Sequence, residues 1–127
     1  MNKRNFLRGL LAALGAGVAA PAAPAERGVL IQISPLAGFQ YHAGTQVWPQ
    51  LTVGQPLALV REPDNRYDRD AVRIDWRGCK LGYLPRAQNT AVAQMLDRGG
   101  ELQARIEQLR VSPDPWERVR VAVELAV

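Results

Sequence analysis

Arg61-Glu62-Pro63-Asp64-Asn65-Arg66-Tyr67-Asp68-Arg69-Asp70-Ala71-Val72, followed by Leu81-Gly82-Tyr83-Leu84-Pro85-Arg86, is the stretch on which the reading of the chain turns. Over residues 61–70, three arginines and three aspartates alternate around one asparagine and one tyrosine, which leaves almost no apolar surface to bury. The flanks differ: residues 57–60 and 71–76 carry the apolar and β-branched positions of strands. A polar loop presented by a rigid sheet is a common place for a binding surface.

Outward from that loop, residues 71–76 alternate apolar and polar, Arg77-Gly78 turns the chain and residues 80–84 return, so a hairpin is expected. Cys79 falls in its turn. Pro85 stops the second strand, Asn89 or Thr90 can cap a helix, and Val92, Met95 and Leu96 form one apolar stripe before Gly99 ends it. Residues 102–106 and 119–125 alternate again on either side of a Pro113-Asp114-Pro115 turn. Upstream, residues 29–34 read as a strand, Pro35 forces a bend, and residues 38–42 resume extended structure. Residues 43–56 read as a crossover loop that folds Trp48 onto the body of the domain. Six or seven short strands with one or two short helices predict a mainly β fold, a small closed barrel.

The first 25 residues are a different kind of polymer. Lys3, Arg4 and Arg8 make a basic head without an acid, residues 10–20 form a short apolar run, and Ala23-Pro24-Ala25 supplies the small residues of a cleavage site. A signal peptide over residues 1–25, cut before Glu26, is the expectation, with the remaining domain over residues 26–127. Lys3-Arg4-Asn5-Phe6-Leu7-Arg8 also resembles a twin-arginine signal with lysine in the first position. A membrane anchor would need about 20 apolar residues, more than this run provides. The exported product would sit in the periplasm without a membrane span; the alternative is an unprocessed cytoplasmic protein.

Leader removal changes the charge argument. The whole chain is +4, but losing three of its sixteen bases and none of its twelve acids leaves thirteen against twelve. Such a domain has no broad phosphate-neutralising surface, so any nucleic-acid contact must come from locally placed groups. One cysteine and one histidine exclude an internal disulfide, a cysteine zinc site and the Ser/His/Asp or Cys/His triads as serious readings. No catalytic residue and no cofactor is implied.

The order of motifs resembles HIRAN domains, whose signature runs close to R-E-P-x-N-x-Y-D-x-N-A followed by a strand ending G-Y/H-L/V-P-R. The resemblance spans residues 33–125. Gly38-Phe39-Gln40-Tyr41-His42-Ala43-Gly44 is similar to the family's aromatic-rich first strand, and Met95-Leu96-Asp97-Arg98-Gly99 to the end of its helix. It implies an OB-like barrel and a non-enzymatic module that captures the 3′ end of single-stranded DNA. On that resemblance Tyr41 and Tyr67 match aromatics that hold a terminal base, Asp68 matches an aspartate that reads the 3′ hydroxyl, and Asn65 assists it. Arg86 matches a basic position facing phosphate, with Tyr83 beside it. Gln40 stands where a DNA-binding member has arginine; His42, Arg66 and Asp70 replace an aromatic, a proline and an asparagine.

Each assignment has a plainer counterpart. Tyr41 can be an ordinary strand residue, Asp64, Asn65 and Asp68 can form an Asx turn, and Arg61, Lys80 and Arg86 can be solvated surface. Three functions compete: nucleic-acid end capture, an envelope protein-interaction module that keeps the barrel without DNA binding, and a Ca²⁺ or metal-dependent site on Asp64, Asn65, Asp68 and Asp70. Near-neutral charge favours the second; interleaved arginines count against the third.

Overall fold

The computed structural model describes residues 28–126, so the expected leader and its cleavage site lie outside the described residues. Six strands, β1 (Val29–Pro35), β2 (Pro56–Arg61), β3 (Val72–Trp76), β4 (Cys79–Tyr83), β5 (Leu102–Leu109) and β6 (Val119–Leu125), form one antiparallel sheet. Their spatial order is β1-β6-β5-β2-β3-β4. The two ends of the sheet approach each other just beyond β1, where Ala37 and Tyr83 exchange backbone hydrogen bonds of 2.9 and 3.0 Å. That bridge gives the sheet its barrel-like closure. The described residues are mainly β, with two short helices, α1 (Gly44–Val47) and α2 (Thr90–Asp97).

Local chemistry explains the elements. In β3 the inward positions Val72, Ile74 and Trp76 are buried while Arg73 and Asp75 face out, the two-residue period of a half-covered sheet. Both turn residues that follow, Arg77 and Gly78, have positive φ, as a tight hairpin with right-handed twist requires. β6 departs from the expected alternation: residues 121–124 are all buried, Glu124 among them under bonds from Gln103 and Arg105 of the neighbouring β5. Leu36, Phe39, Ile74, Leu81, Leu84, Ile106 and Val121 are among the largest fully buried side chains. Each contributes roughly 1.5–3 kcal/mol relative to exposure.

Three expectations are corrected. Residues 38–42 are not extended: Gly38 takes φ 76° and starts a 3-10 turn over Phe39–Tyr41. The cause is Phe39, which enters the core and meets Trp48 edge-on at 5.9 Å, so the turn drives the neighbouring Gln40 and Tyr41 into solvent. The crossover is partly regular, with α1 and a 3-10 turn over Trp48–Gln50; Trp48 does pack on the core as expected. Cys79 is the first residue of β4, a half-buried free thiol packed against the core, rather than a turn residue.

Gly82 secures the closure. A Cβ at this position would collide with the carbonyl oxygen of Ala37, so only glycine lets the bridge between Ala37 and Tyr83 form. Gly82→Ala is expected to cost about 1–3 kcal/mol of folding stability. The loss should appear as a melting temperature lower by roughly 4–8 °C per kcal/mol; an unchanged melting temperature would contradict the role given to this contact.

Candidate functional site

The polar segment over residues 62–71 folds as a series of turns between β2 and β3. Glu62 N donates to Ala71 O at 3.1 Å and closes the loop, while Asn65 N, Asp68 N and Ala71 N each donate to the carbonyl three residues earlier. Side chains lock the same backbone: Asn65 Oδ1 accepts from the amides of Tyr67 (2.9 Å) and Asp68 (3.2 Å), and Asp68 Oδ1 accepts from Asp70 N at 2.9 Å. These are Asx turns, in which a short side chain satisfies amides that no ladder could reach. The ring of Tyr67 is left 76% exposed, with the Arg66 guanidinium 5.7 Å from its centroid.

Glu62 ties this loop to the sheet. Its carboxylate accepts from Asn65 Nδ2 (3.0 Å), the Tyr83 hydroxyl (2.9 Å) and Arg73 Nη1 (3.0 Å), and Arg73 in turn grips Asp75 through two bonds. Burial alone pushes the Glu62 carboxyl up, but the bonds from Asn65, Tyr83 and Arg73 together outweigh it and hold the group below its ordinary value. His42 packs edge-on against Tyr83 at 6.1 Å, and Lys80 Nζ lies 4.8 Å from the centre of the same ring. Burial, then Lys80, lowers the His42 pKa against an opposing pull from Glu62, so the imidazole is neutral at physiological pH.

Two open grooves meet at Tyr67. One, of about 450 Å³, is floored by Ala71, Leu84 and Tyr83 and bordered by His42 and Lys80. The other, of about 690 Å³, is rimmed by Arg66, Arg69 and Arg86, with Asn89 and Thr90 at the start of α2. Asn65, Tyr67, Asp68 and Arg86 belong to both.

The structure therefore brings together Asn65, Tyr67, Asp68, Tyr83 and Arg86 of the residues picked from sequence. Gln40 and Tyr41 line neither groove; both are exposed on the 3-10 turn, Tyr41 at 77%. Asn65 spends its side chain on the loop itself, and Tyr83 presents its ring while its hydroxyl is committed to Glu62. Arg61 forms a two-bond pair with Asp97 of α2 (2.9 and 3.1 Å) and donates to Ala71 O, so it braces the loop instead of adding free charge.

Asn89 was legible only as a helix cap. It makes no side-chain cap bond; buried at 1% exposure, it donates from Nδ2 to Asp68 Oδ2 at 2.7 Å and thereby fixes the carboxylate. Its Oδ1 is a buried side-chain atom without a partner among the described residues. Thr90 Oγ1 donates to Asp70 Oδ2 at 3.2 Å. Loop amides and α2 thus take up oxygens of the aspartates that a calcium reading would need, and among the described residues no three His, Cys, Asp or Glu side chains gather into a metal-holding group.

The described residues thus form a small antiparallel barrel that carries a braced polar loop beside a partly apolar groove. The HIRAN domain family model matches residues 31–127, and the chain belongs to that family. Among solved structures, a protein from Lactobacillus plantarum is 26% identical with a TM-score of 0.62, over 78% of this chain and 98% of that one. The HIRAN domain of human HLTF is 18% identical with a TM-score of 0.56, over 78% of this chain and 77% of that one, a likeness of fold. A comparison with curated protein sequences finds no match.

Because the folded-state pKa of Glu62 is depressed, its contribution to stability is present above its ordinary value of 4.5 and is lost as pH falls through the folded value. Glu62→Gln should therefore be less stable than the parent at pH 7, by about 1–3 kcal/mol. Urea unfolding should show the gap narrowing on acidification below that ordinary value; a gap independent of pH would refute the carboxylate as the hub.

Proposed function

We propose that this protein is a non-enzymatic nucleic-acid-binding module that captures the 3′ end of single-stranded DNA in the groove beside Tyr67. The observation that carries the reading is the braced Tyr67-Asp68 pair. An exposed aromatic face is anchored at its own amide, next to a carboxylate held by Asp70 N and Asn89 Nδ2. Base stacking on such a face contributes about 1–3 kcal/mol per base and is tolerant of sequence. A carboxylate offers about four lone-pair sites, so Asp68 keeps capacity to accept from a terminal hydroxyl and to repel a terminal phosphate. Ala71, Leu84 and the Tyr83 ring supply an apolar floor for the base, and Arg86 stands where the adjoining phosphate would lie.

This reading extends family membership to a ligand, and the resemblance of residues 61–86 to the family signature supports it. Gln40 and Tyr41, outside both grooves, are assigned at most a secondary contact. In fluorescence anisotropy, a labelled single strand ending in 3′-OH should bind more tightly than the same strand ending in 3′-phosphate. Tyr67→Ala, which removes an exposed ring, should weaken binding by about 1–3 kcal/mol, or roughly 5–150-fold. Equal affinity for both ends would defeat the hydroxyl-reading role.

A second reading, an envelope interaction module on the same barrel, draws on β1. That strand lies at the edge of the sheet and exposes Val29, Leu30 and Ile33, apolar surface suited to a protein partner. Absence of DNA binding at low salt would favour it. Both readings place the domain in the periplasm, on the sequence of residues 1–25. Protein recovered from the periplasm should begin at Glu26; recovery of an intact Met1 terminus from the cytoplasm would reverse the assignment.

A further inference from the structure

We propose that the groove rimmed by Arg66 and Arg69 is a second subsite, which takes the phosphodiester backbone of the strand upstream of the captured end. The inference rests on the end-capture reading and adds a strand path to it.

The arrangement of cations singles out this groove. Arg61 is held by Asp97, Arg73 by Glu62 and Asp75, Arg105 by Glu124, and Arg110 lies within 3.8 Å of Glu117. Arg69 and Arg86 have no carboxylate partner among the described residues, as is also true of other cations such as Lys80, Arg98 and Arg120, and Arg66 meets only the face of Tyr67. What sets Arg66, Arg69 and Arg86 apart is that they line one open groove together. Asp68 and Asp70 line the same groove and are bonded to Asp70 N, Asn89 Nδ2 and Thr90 Oγ1. These carboxylates keep their charge, but the three guanidiniums without a carboxylate partner outnumber them there, so the groove as a whole favours an anion.

Geometry gives the direction of the strand. The two grooves share Tyr67, Asp68 and Arg86, so a chain whose last base lies against Tyr67 and Tyr83 leaves across Arg86 into the arginine-rimmed groove. A repeating monoanion suits separate single cations better than one multiply charged group would. In a domain with thirteen bases and twelve acids beyond residue 25, local placement is what allows a phosphate contact.

The test compares single strands with a free 3′-OH, from a dinucleotide to a hexanucleotide, on the parent and on the Arg69→Ala variant, which leaves the Arg66 guanidinium on Tyr67 in place. Arg69 is exposed and makes no ion pair, and a thermal melt establishes that the variant folds. The expected result is equal affinity for the dinucleotide, an affinity that climbs with length in the parent, and loss of that climb in the variant. For the hexanucleotide the slope of log K against log salt should fall by about 0.7, the share of one contact. A length-dependent gain and a salt slope that survive unchanged in the variant overturn the subsite while leaving end capture intact. Failure of the parent to bind any length overturns end capture, and this inference with it.

Discussion

The carboxylate of Glu62 is the point at which loop and sheet become one rigid object. It is the first loop residue after β2, and it accepts hydrogen bonds from the loop (Asn65), from β3 (Arg73) and from β4 (Tyr83). Ionised and partly buried, it is satisfied by three donors, one of them charged, and bonds of this charge-assisted kind are stronger than neutral ones. Through Asn65 the same constraint reaches the amides of Tyr67 and Asp68. The exposed tyrosine thus owes its position to a glutamate several residues away that itself faces no ligand.

The second brace comes from α2. Arg61 fixes the helix end through Asp97, and Asn89 and Thr90 at its start hold Asp68 and Asp70. Between them, sheet and helix clamp the loop from both sides, so a ligand would meet a surface already ordered. Preorganisation of this kind spares the entropy of ordering a loop on binding. Closure of the barrel at Ala37 and Tyr83 completes the arrangement, since it brings Tyr83 and Leu84 beneath Tyr67.

Much of this was readable in the sequence because its signals are local. The hairpin around Arg77-Gly78, the stripe of Val92 and Leu96, and the Asx chemistry of Asn65 follow from spacing and turn propensity. What was not readable depended on tertiary competition. Residues 38–42 carry an alternating pattern, yet burial of Phe39 against Trp48 won over the extended conformation and left Tyr41 exposed on the turn, outside the lining of both grooves. β6, second in the sheet between β1 and β5, carries a similar pattern, but residues 121–124 are buried on both faces. Asn89 reads in sequence as a cap whether its side chain bonds its own helix or reaches a distant aspartate, and only the fold separates the two. Arg61 likewise carried no sign that Asp97 would claim it.

In the proposed mode of capture, a strand end meets the braced loop without rearranging it. The decisive measurement is amide chemical-shift mapping of the domain during titration with a short single-stranded oligonucleotide bearing a free 3′-OH. Shifts concentrated on residues 65–70 and 83–90, with the remainder of the sheet undisturbed, are the predicted result. Shifts clustered instead along β1, or spread through the hydrogen bonds of Glu62 as the loop reorganises, would contradict it.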